Sequence, residues 1–170
     1  MAKEKTLEDA FYETLKDVYY AEKASVKAQK KAAKAAQSPE LQAAFKTHGE
    51  ESQNQVERLA QVFELIGKTP RAKTCEATVG LMNEMDEDLE DFAGTEASDD
   101  VLIGCAQALE HYEIARYGLL KTWATKLGYD EAAALLDATL QEEKKTDELL
   151  TQIANASMPK GKSGAKAKAA

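Results

Sequence analysis

The stretch LEHYEIARYG, residues 109–118, places two acidic residues on what would be the buried face of a helix. Glu110 and Glu113 are three residues apart, so both side chains would lie on the same face of an α-helix. A single buried carboxylate costs several kcal/mol of folding free energy unless something compensates it. The other residues predicted on this face are apolar or aromatic: Ile103, Ala106, Tyr117, Leu120 and Leu127.

The composition favours an all-α protein. The chain has 170 residues, only three Pro and nine Gly, and is rich in Ala, Glu, Lys and Leu, which are good helix formers. No apolar run approaches the roughly 18 residues that a membrane span needs, and the N-terminal sequence lacks the apolar region of a signal peptide. Cys75 and Cys105 match no zinc or redox spacing. We therefore expect a cytoplasmic, single-domain protein with reduced thiols and no membrane contact.

Capping signals divide the chain into four long helices and one short helix. Thr6 and Asp9 match a capping box, and Ser38 followed by Pro39 is typical of a helix start. Gly at the end of an apolar periodic stretch is typical of a helix end. The predicted long helices run from Thr6 to about Gln37, from Ser38 to Gly67, from Ser98 as N-cap to Gly128, and from Asp130 to about Ser157, with the short helix inside CEATVGLMNEMDEDLEDF, residues 75–92.

The lengths of the connections predict the topology. Short loops join the first two long helices and the last two, so each pair forms an antiparallel hairpin, and a long connection over residues 71–97 joins the hairpins. A four-helix bundle with one long crossover is the ferritin-like arrangement. We therefore predict an all-α, ferritin-like four-helix bundle over residues 1–157, with a short extra helix in the crossover. Residues 158–170, MPKGKSGAKAKAA, are predicted to form a disordered Lys/Ala-rich tail.

Each long helix carries acid near the middle of its apolar stripe. Because mid-helix positions of antiparallel neighbours lie at similar heights, these acids are predicted to meet in one layer. Clustered buried carboxylates repel each other, and metal ions compensate them through hard oxygen ligands. Di-iron carboxylate bundles use such a layer, with one Glu from each of two helices and Glu-x-x-His from each of the other two. The predicted metal ligands are Glu22, His48, Glu51, Glu110, Glu113 and Glu143.

Several alternatives stay open at this point. Ion pairs could neutralise the layer instead of metal, since Arg116 and Lys144 lie close to it in sequence. Asp147 also falls on the last stripe, whereas His111 is one residue off the inward phase and is expected at a flank or a dimer face. The helix phase leaves two choices between adjacent residues, Glu50 or Glu51 and Glu142 or Glu143.

Five stretches resemble those of a known family: LKDVYYAEK (15–23), HGEESQNQVERL (48–59), CEATVGL (75–81), LEHYEIARYG (109–118) and TLQEEKKTD (139–147). Through them the chain resembles the YciE/YciF family of bacterial stress proteins, a branch of the ferritin-like superfamily. The resemblance implies a ferritin-like bundle, usually a homodimer, linked to general stress responses and without a defined biochemical activity. The metal pattern departs from that of the superfamily, because His48-x-x-Glu51 replaces Glu-x-x-His and one His stands where two are usual.

Two functional hypotheses follow. The first is a redox protein with two iron or manganese ions bridged by Glu51 and Glu143, which oxidises iron or reacts with peroxide or oxygen; an oxygen-rich shell favours manganese or loosely held iron. The second is a non-catalytic, dimeric interaction protein with a degraded metal site. Under the first hypothesis, four aromatic residues are candidates to carry oxidising equivalents: Tyr19, Tyr112, Tyr117 and Trp123.

Other function classes find little support in the sequence. There is no Gly-rich phosphate loop and no nucleophile elbow, which argues against a nucleotide enzyme or a hydrolase. The net charge of −8 argues against specific nucleic-acid recognition by the bundle. The four Lys residues of the tail, 158–170, could make a weak electrostatic contact with DNA or an acidic partner.

Overall fold

The computed structural model describes residues 4–157, and these residues form helices and connecting loops without a β-strand. The predicted all-α architecture of four long helices and one short helix is confirmed. The helices are α1 (Leu7–Ala35), α2 (Pro39–Leu65), α3 (Glu76–Asp91), α4 (Ser98–Lys126) and α5 (Asp130–Ser157).

Two of the three predicted N-caps are present. The Thr6 hydroxyl accepts a hydrogen bond from the backbone N–H of Asp9, whose carboxylate accepts one from the N–H of Thr6, so the capping box is confirmed. The Ser38 hydroxyl caps α2 by accepting a hydrogen bond from the backbone N–H of Leu41. The prediction for Ser98 is wrong, because Ser98 is the first residue of α4 and Ala97 occupies the cap position. Ala97 already has helical φ and ψ angles, so the preceding turn leads into the helix without a side-chain cap.

The order of the helices around the bundle is α1, α2, α5, α4. The hydrogen bonds of Tyr117 with Glu22 and of Tyr129 with Glu8 show that α1 and α4 are antiparallel. Since α1 and α2 form a hairpin, α2 and α4 run in the same direction on opposite corners. The crossover must therefore travel the length of the bundle, and its helix α3 packs on α4 and α1. This is the predicted ferritin-like four-helix bundle with a crossover helix.

Two glycines end long helices as the sequence predicted. Gly67 follows α2 with φ of 69°, and Gly128 follows α4 with φ of 77°. Both angles lie in the left-handed region that residues with a Cβ atom rarely adopt. The helix limits otherwise differ from the predicted ones by at most two residues, as at Ala35, where α1 ends before Gln37.

The apolar core consists of two clusters at opposite ends of the bundle. One cluster surrounds Phe11, Phe63 and Tyr117, and the other surrounds Phe45 and Leu102. The middle of the bundle between them holds the buried polar residues of the four long helices. Apolar packing on both sides thus fixes a polar layer at mid-height.

The predicted tail over residues 158–170 lies outside the described residues. Within the described part of the chain, no helix combines the length and the apolar character needed to cross a membrane.

Candidate metal centre

The buried layer is built from all four long helices. Each helix supplies side chains that are at most 2% exposed. The α1–α2 hairpin supplies one acid and one imidazole, while the α4–α5 hairpin supplies three acids. The residues are Glu22 on α1, His48 on α2, Glu110 and Glu113 on α4, and Glu143 on α5.

Two groups of three ligand atoms share one residue. In the first group, atoms of His48, Glu110 and Glu143 all lie within 4.8 Å of one another, and in the second the same holds for Glu22, Glu113 and Glu143. Nε2 of His48 lies 3.1 Å from Oε1 of Glu110 and 3.5 Å from Oε2 of Glu143. The arrangement therefore offers two neighbouring cation positions with Glu143 common to both.

Glu51 lies at the rim of the layer and belongs to neither group. Its side chain is 32% exposed, and its Oε2 lies 3.4 Å from Nδ1 of His48. With His48 pointing inward, the helical repeat brings the positions four and seven residues later inward as well. Those positions are Ser52 and Gln55, both fully buried. The structure thus gives α2 one imidazole, a hydroxyl and an amide where a carboxylate was expected.

Gln55 connects the layer to an ion pair at its edge. Its Nε2 donates to Oε1 of Glu143 over 2.5 Å and to Oε2 of Glu142 over 3.0 Å. Both Glu142 oxygens accept hydrogen bonds from the Arg58 guanidinium at 2.7 and 2.9 Å, and the same guanidinium donates to the hydroxyl of Thr139. Of the two adjacent acids, Glu143 therefore faces the layer and Glu142 lies at the rim.

Asp147 does not reach the layer. The inward position after Glu143 is Thr146, whose hydroxyl lies 3.1 Å from Nδ1 of His48. Asp147 instead lies between α4 and α5, where its carboxylate contacts Nε2 of His111 at 3.2 Å and accepts a hydrogen bond from Gln107. His111 is exposed on this flank.

The cations considered as alternative partners do not reach the acids. The Arg116 guanidinium lies over the ring of Tyr112, 5.1 Å from its centroid, and Lys144 is exposed. Among the described residues, His48 is the only basic side chain that contacts Glu110 or Glu143. Glu22 and Glu113 therefore have no basic partner in the described part of the chain, and His48 is shared by Glu110 and Glu143.

Burial dominates the acid–base behaviour of the layer. Burial raises the pKa of Glu113 and of Glu143 well above the usual value for a carboxyl group, and the neighbouring carboxylates raise both further. Burial raises the pKa of Glu22 to about 7, although the hydrogen bond from Tyr117 opposes the rise. For His48, burial favours the neutral ring and so lowers the pKa. The charge of Glu110 outweighs this effect, and the pKa of His48 lies well above the usual value for an imidazole.

Carboxylate oxygens of the layer that have no hydrogen-bond partner show whether a cation would fit there. Both oxygens of Glu113, Oε2 of Glu22 and Oε2 of Glu143 are buried and have no hydrogen-bond partner among the described residues. Buried polar atoms in native proteins are normally satisfied. Carboxylate oxygens with one imidazole are a ligand set that suits iron and manganese. This buried cluster of carboxylates and one imidazole could therefore hold a metal ion.

Only one of the four candidate aromatic residues contacts the layer. The Tyr117 hydroxyl donates to Oε1 of Glu22 over 2.5 Å. Tyr19 packs edge-on against Phe63, Tyr112 contacts Cys75, and Trp123 packs on the apolar cluster around Phe11.

A family model described as a domain of unknown function, DUF892, matches residues 6–162. The chain belongs to the DUF892 family. It is 47% identical over 152 residues to protein YciF of Escherichia coli K12, an alignment that covers 88% of this chain and 91% of that protein. The resemblance to the YciE/YciF family is thereby confirmed.

Solved structures of other proteins share the fold. The crystal structure of the E. coli stress protein YciF has a TM-score of 0.88 at 43% identity, covering 93% of this chain and all of that one. YcfI from Rhodopseudomonas palustris has a TM-score of 0.85 at 39% identity, covering 89% of this chain and 97% of that one. A Xanthomonas campestris protein, at 24% identity and a TM-score of 0.70, covers 89% and 92% of the two chains and supports the fold alone.

Sequence reasoning placed some functional residues of this DUF892 chain but overlooked others. Gln55 was not assigned to the site, although its position seven residues after His48 places it on the same face of α2. Arg58 was overlooked because its partner Glu142 lies 84 residues away in the chain. Ser52 was overlooked because the preceding residue, Glu51, was predicted to be the inward-facing ligand of α2.

Proposed function

We propose that this DUF892 protein binds two iron or manganese ions in the buried layer and uses them in redox chemistry with oxygen or peroxide. The single observation that carries the proposal is the environment of Glu113, whose two buried oxygens have no partner among the described residues. The sharing of Glu143 by two groups of ligand atoms supports a pair of ions. The E. coli relative is described as a stress protein, and oxidant handling fits that setting.

The ligands divide into two unequal sets. His48 and Glu110 would hold one ion, Glu22 and Glu113 would hold the other, and Glu143 would contact both. Bound iron or manganese supplies one-electron redox chemistry that amino-acid side chains lack. One nitrogen among five candidate ligands gives an oxygen-rich shell, which favours manganese or loosely held iron.

The remaining residues position the ligands and keep water out. The Tyr117 hydroxyl orients Glu22, Gln55 orients Glu143, and Thr146 contacts Nδ1 of His48, which leaves Nε2 facing the acids. Partners of this kind fix the orientation of metal ligands. The apolar clusters above and below the layer separate it from solvent.

The test is metal content together with anaerobic titration by Fe(II) and Mn(II). About two ions per chain are expected, one on each group of ligands, and Glu113→Gln should lose the ion held by Glu22 and Glu113. Glu50→Gln is the matched control, because Glu50 is exposed on α2 and its replacement should leave the stoichiometry unchanged. Metal content at background in the wild-type protein would overturn the proposal. If two ions bind, peroxide and oxygen consumption by the loaded protein tests the redox chemistry.

The second candidate function is a non-catalytic, dimeric interaction protein with a degraded metal site. Ser52 and Thr146 favour it, because these buried hydroxyls stand near positions where carboxylate bundles carry Glu or His. The same titration separates the two candidates, since a degraded site binds fewer than two ions. Light scattering tests the proposed homodimer, and the salt dependence of DNA binding with and without residues 158–170 tests the proposed role of the tail.

A further inference from the structure

Two carboxylates connect the buried layer to solvent, and both lie on the same side of the bundle. Glu51 of α2 is 32% exposed and contacts His48, while Glu142 of α5 is 31% exposed and contacts Gln55. We propose that the seam between α2 and α5 is the entry route for divalent cations, with Glu51 and Glu142 as the capture ligands and Arg58 as a latch over them. This inference rests on the proposed metal site.

The inner end of the seam carries an unused ligand atom. Oε1 of the fully buried Gln55 has no hydrogen-bond partner among the described residues. The Nε2 of the same amide contacts both Glu142 at the rim and Glu143 in the layer. Hard cations prefer carboxylate and amide oxygens. The seam thus connects Glu142 at the surface to Glu143 in the layer through Gln55.

A second path of contacts runs beside the first. Glu51 reaches from the rim to Nδ1 of His48 at 3.4 Å, and Nε2 of His48 faces Glu110 and Glu143. Among the described residues, Glu51 and Glu142 are the partly exposed carboxylates that contact a side chain of the layer. A negative rim of this kind raises the local concentration of cations and their rate of association.

Each of the other three sides of the bundle carries contacts that join or cover its helices. Helix α3 packs on α1 and α4 and covers their seam. Between α1 and α2 the backbones approach closely, since a Cβ atom on Gly49 would lie 3.2 Å from Cβ of Gln29. Between α4 and α5, Gln107 donates hydrogen bonds to Asp147 and Thr151 and bridges the two helices.

Arg58 accounts for the closed state of the seam. Its guanidinium binds both Glu142 oxygens and is anchored by Thr139, so a cation can use Glu142 only after Arg58 has moved away. The side chain of Arg58 is 21% exposed and lies at the surface of the seam.

The test is the rate of loading, measured apart from the amount of metal bound. Anaerobic stopped-flow mixing of the metal-free protein with Co(II) reports binding through the visible absorption of the bound ion. The double variant Glu51→Gln/Glu142→Gln should load about tenfold more slowly while reaching the same final stoichiometry as the wild type. The matched control is Glu50→Gln/Glu148→Gln, which removes two exposed carboxylates from the same helices and should load at the wild-type rate.

Removing the guanidinium of Arg58 should change the loading rate in the opposite direction. Arg58→Gln should load faster and should also release Co(II) faster to a chelator, because the guanidinium no longer covers Glu142. Circular dichroism checks that each variant is folded. Glu142→Asp keeps the negative charge at this position and should load at close to the wild-type rate.

Three results would overturn the inference. Equal loading rates in the double variant and the wild type would place the entry route elsewhere. A lower final stoichiometry in the double variant would make these residues ligands of the bound ions instead of a port. No Co(II) binding by the wild-type protein would instead refute the proposed metal site, on which the inference depends.

Discussion

The Tyr117 hydroxyl donates a hydrogen bond to Oε1 of Glu22 over 2.5 Å, at a point where neither side chain has any exposed surface. This contact joins α1 to α4 across the middle of the bundle. It is also the only described hydrogen bond that a carboxylate oxygen of Glu22 accepts, since Oε2 of Glu22 has no partner among the described residues. Tyr117 therefore stabilises the charged form of an acid that burial would otherwise neutralise.

Replacing Tyr117 by Phe should destabilise the metal-free protein by about 1–3 kcal/mol, because the variant leaves a buried carboxyl group without its donor. The loss should be larger at pH 8 than at pH 5, since Glu22 ionises with a pKa of about 7. Urea unfolding at pH 5 and at pH 8 measures the loss of stability at each pH. Tyr19→Phe is the control, because the Tyr19 ring packs on Phe63 and its hydroxyl makes no described hydrogen bond. Equal effects of the two changes would contradict the role assigned to Tyr117.

Glu113→Gln should stabilise the protein in chelator and weaken its response to metal. The amide avoids the cost of a buried acid whose pKa is raised well above its usual value by burial, so the free energy of unfolding at pH 7.5 should rise by about 1–3 kcal/mol. In the wild type, metal at 100 times Kd adds about 2.7 kcal/mol, and the variant should lose this gain. Thermal unfolding with and without Mn(II) measures both effects. Destabilisation of the variant in chelator would show that Glu113 is compensated within the chain.

The metal-free protein should lose stability as the pH rises from 5 to 8. The folded-state pKa of Glu22 is raised from 4.5 to about 7, so the folded state binds the proton more tightly than the unfolded state does. The stabilisation is complete below the unfolded pKa and is lost as the pH rises through 7, a change of about 3 kcal/mol for Glu22. The raised pKa values of Glu113, Glu143 and His48 act in the same direction.

Urea unfolding in chelator across this pH range measures the effect, and Glu22→Gln should show a flatter profile. Metal affinity should change in the opposite sense, since carboxylates bind metal only when deprotonated. A metal-free protein that gains stability between pH 5 and pH 8 would show that the acids are not buried as described.

Asp99→Ala should destabilise the fold without touching the metal centre. The Asp99 carboxylate accepts hydrogen bonds from the backbone N–H groups of Gln37 and Ser38 at 2.7 and 2.8 Å and ties the start of α4 to the α1–α2 turn. Loss of two charge-assisted hydrogen bonds at a partly exposed site should cost about 1–2 kcal/mol. Chemical denaturation measures the loss, and Glu96→Ala, at an exposed position nearby, is the control. Unchanged metal stoichiometry is expected, and a decrease would contradict a purely structural role.

Much of the fold could be predicted from local sequence signals. The capping box at Thr6, the Ser38–Pro39 start and the glycines at the ends of α2 and α4 act within a few residues of sequence, so each could be identified without tertiary information. The start of α4 at Ser98 was misjudged as a cap, because the turn before it already has helical angles. That conformation depends on how the crossover reaches the bundle, which no local signal reports.

The site was harder to predict because phase and partner matter more there than residue type. Glu22, Glu110, Glu113 and Glu143 lie inward as the apolar stripes indicated. On α2, one residue of phase separates Glu51 at the rim from Ser52 in the interior, a rotation of about 100° around the helix axis. Where two acidic residues are adjacent, as at positions 50 and 51, the sequence pattern does not distinguish between them.

The sequence by itself determined four amphipathic helices, their order in two hairpins and the presence of acid in every buried stripe, since these depend on helical periodicity and on caps that act locally. The tertiary structure decided which acids share a group of ligand atoms and which ones reach solvent. It also placed the Arg58 guanidinium over Glu142. Glu142 and Arg58 are 84 residues apart in the chain and meet only because α2 and α5 pack side by side. The two ends of the bundle hold well-packed apolar clusters, so helix rotation is fixed by their close packing, and the orientation of each residue in the polar layer follows from it.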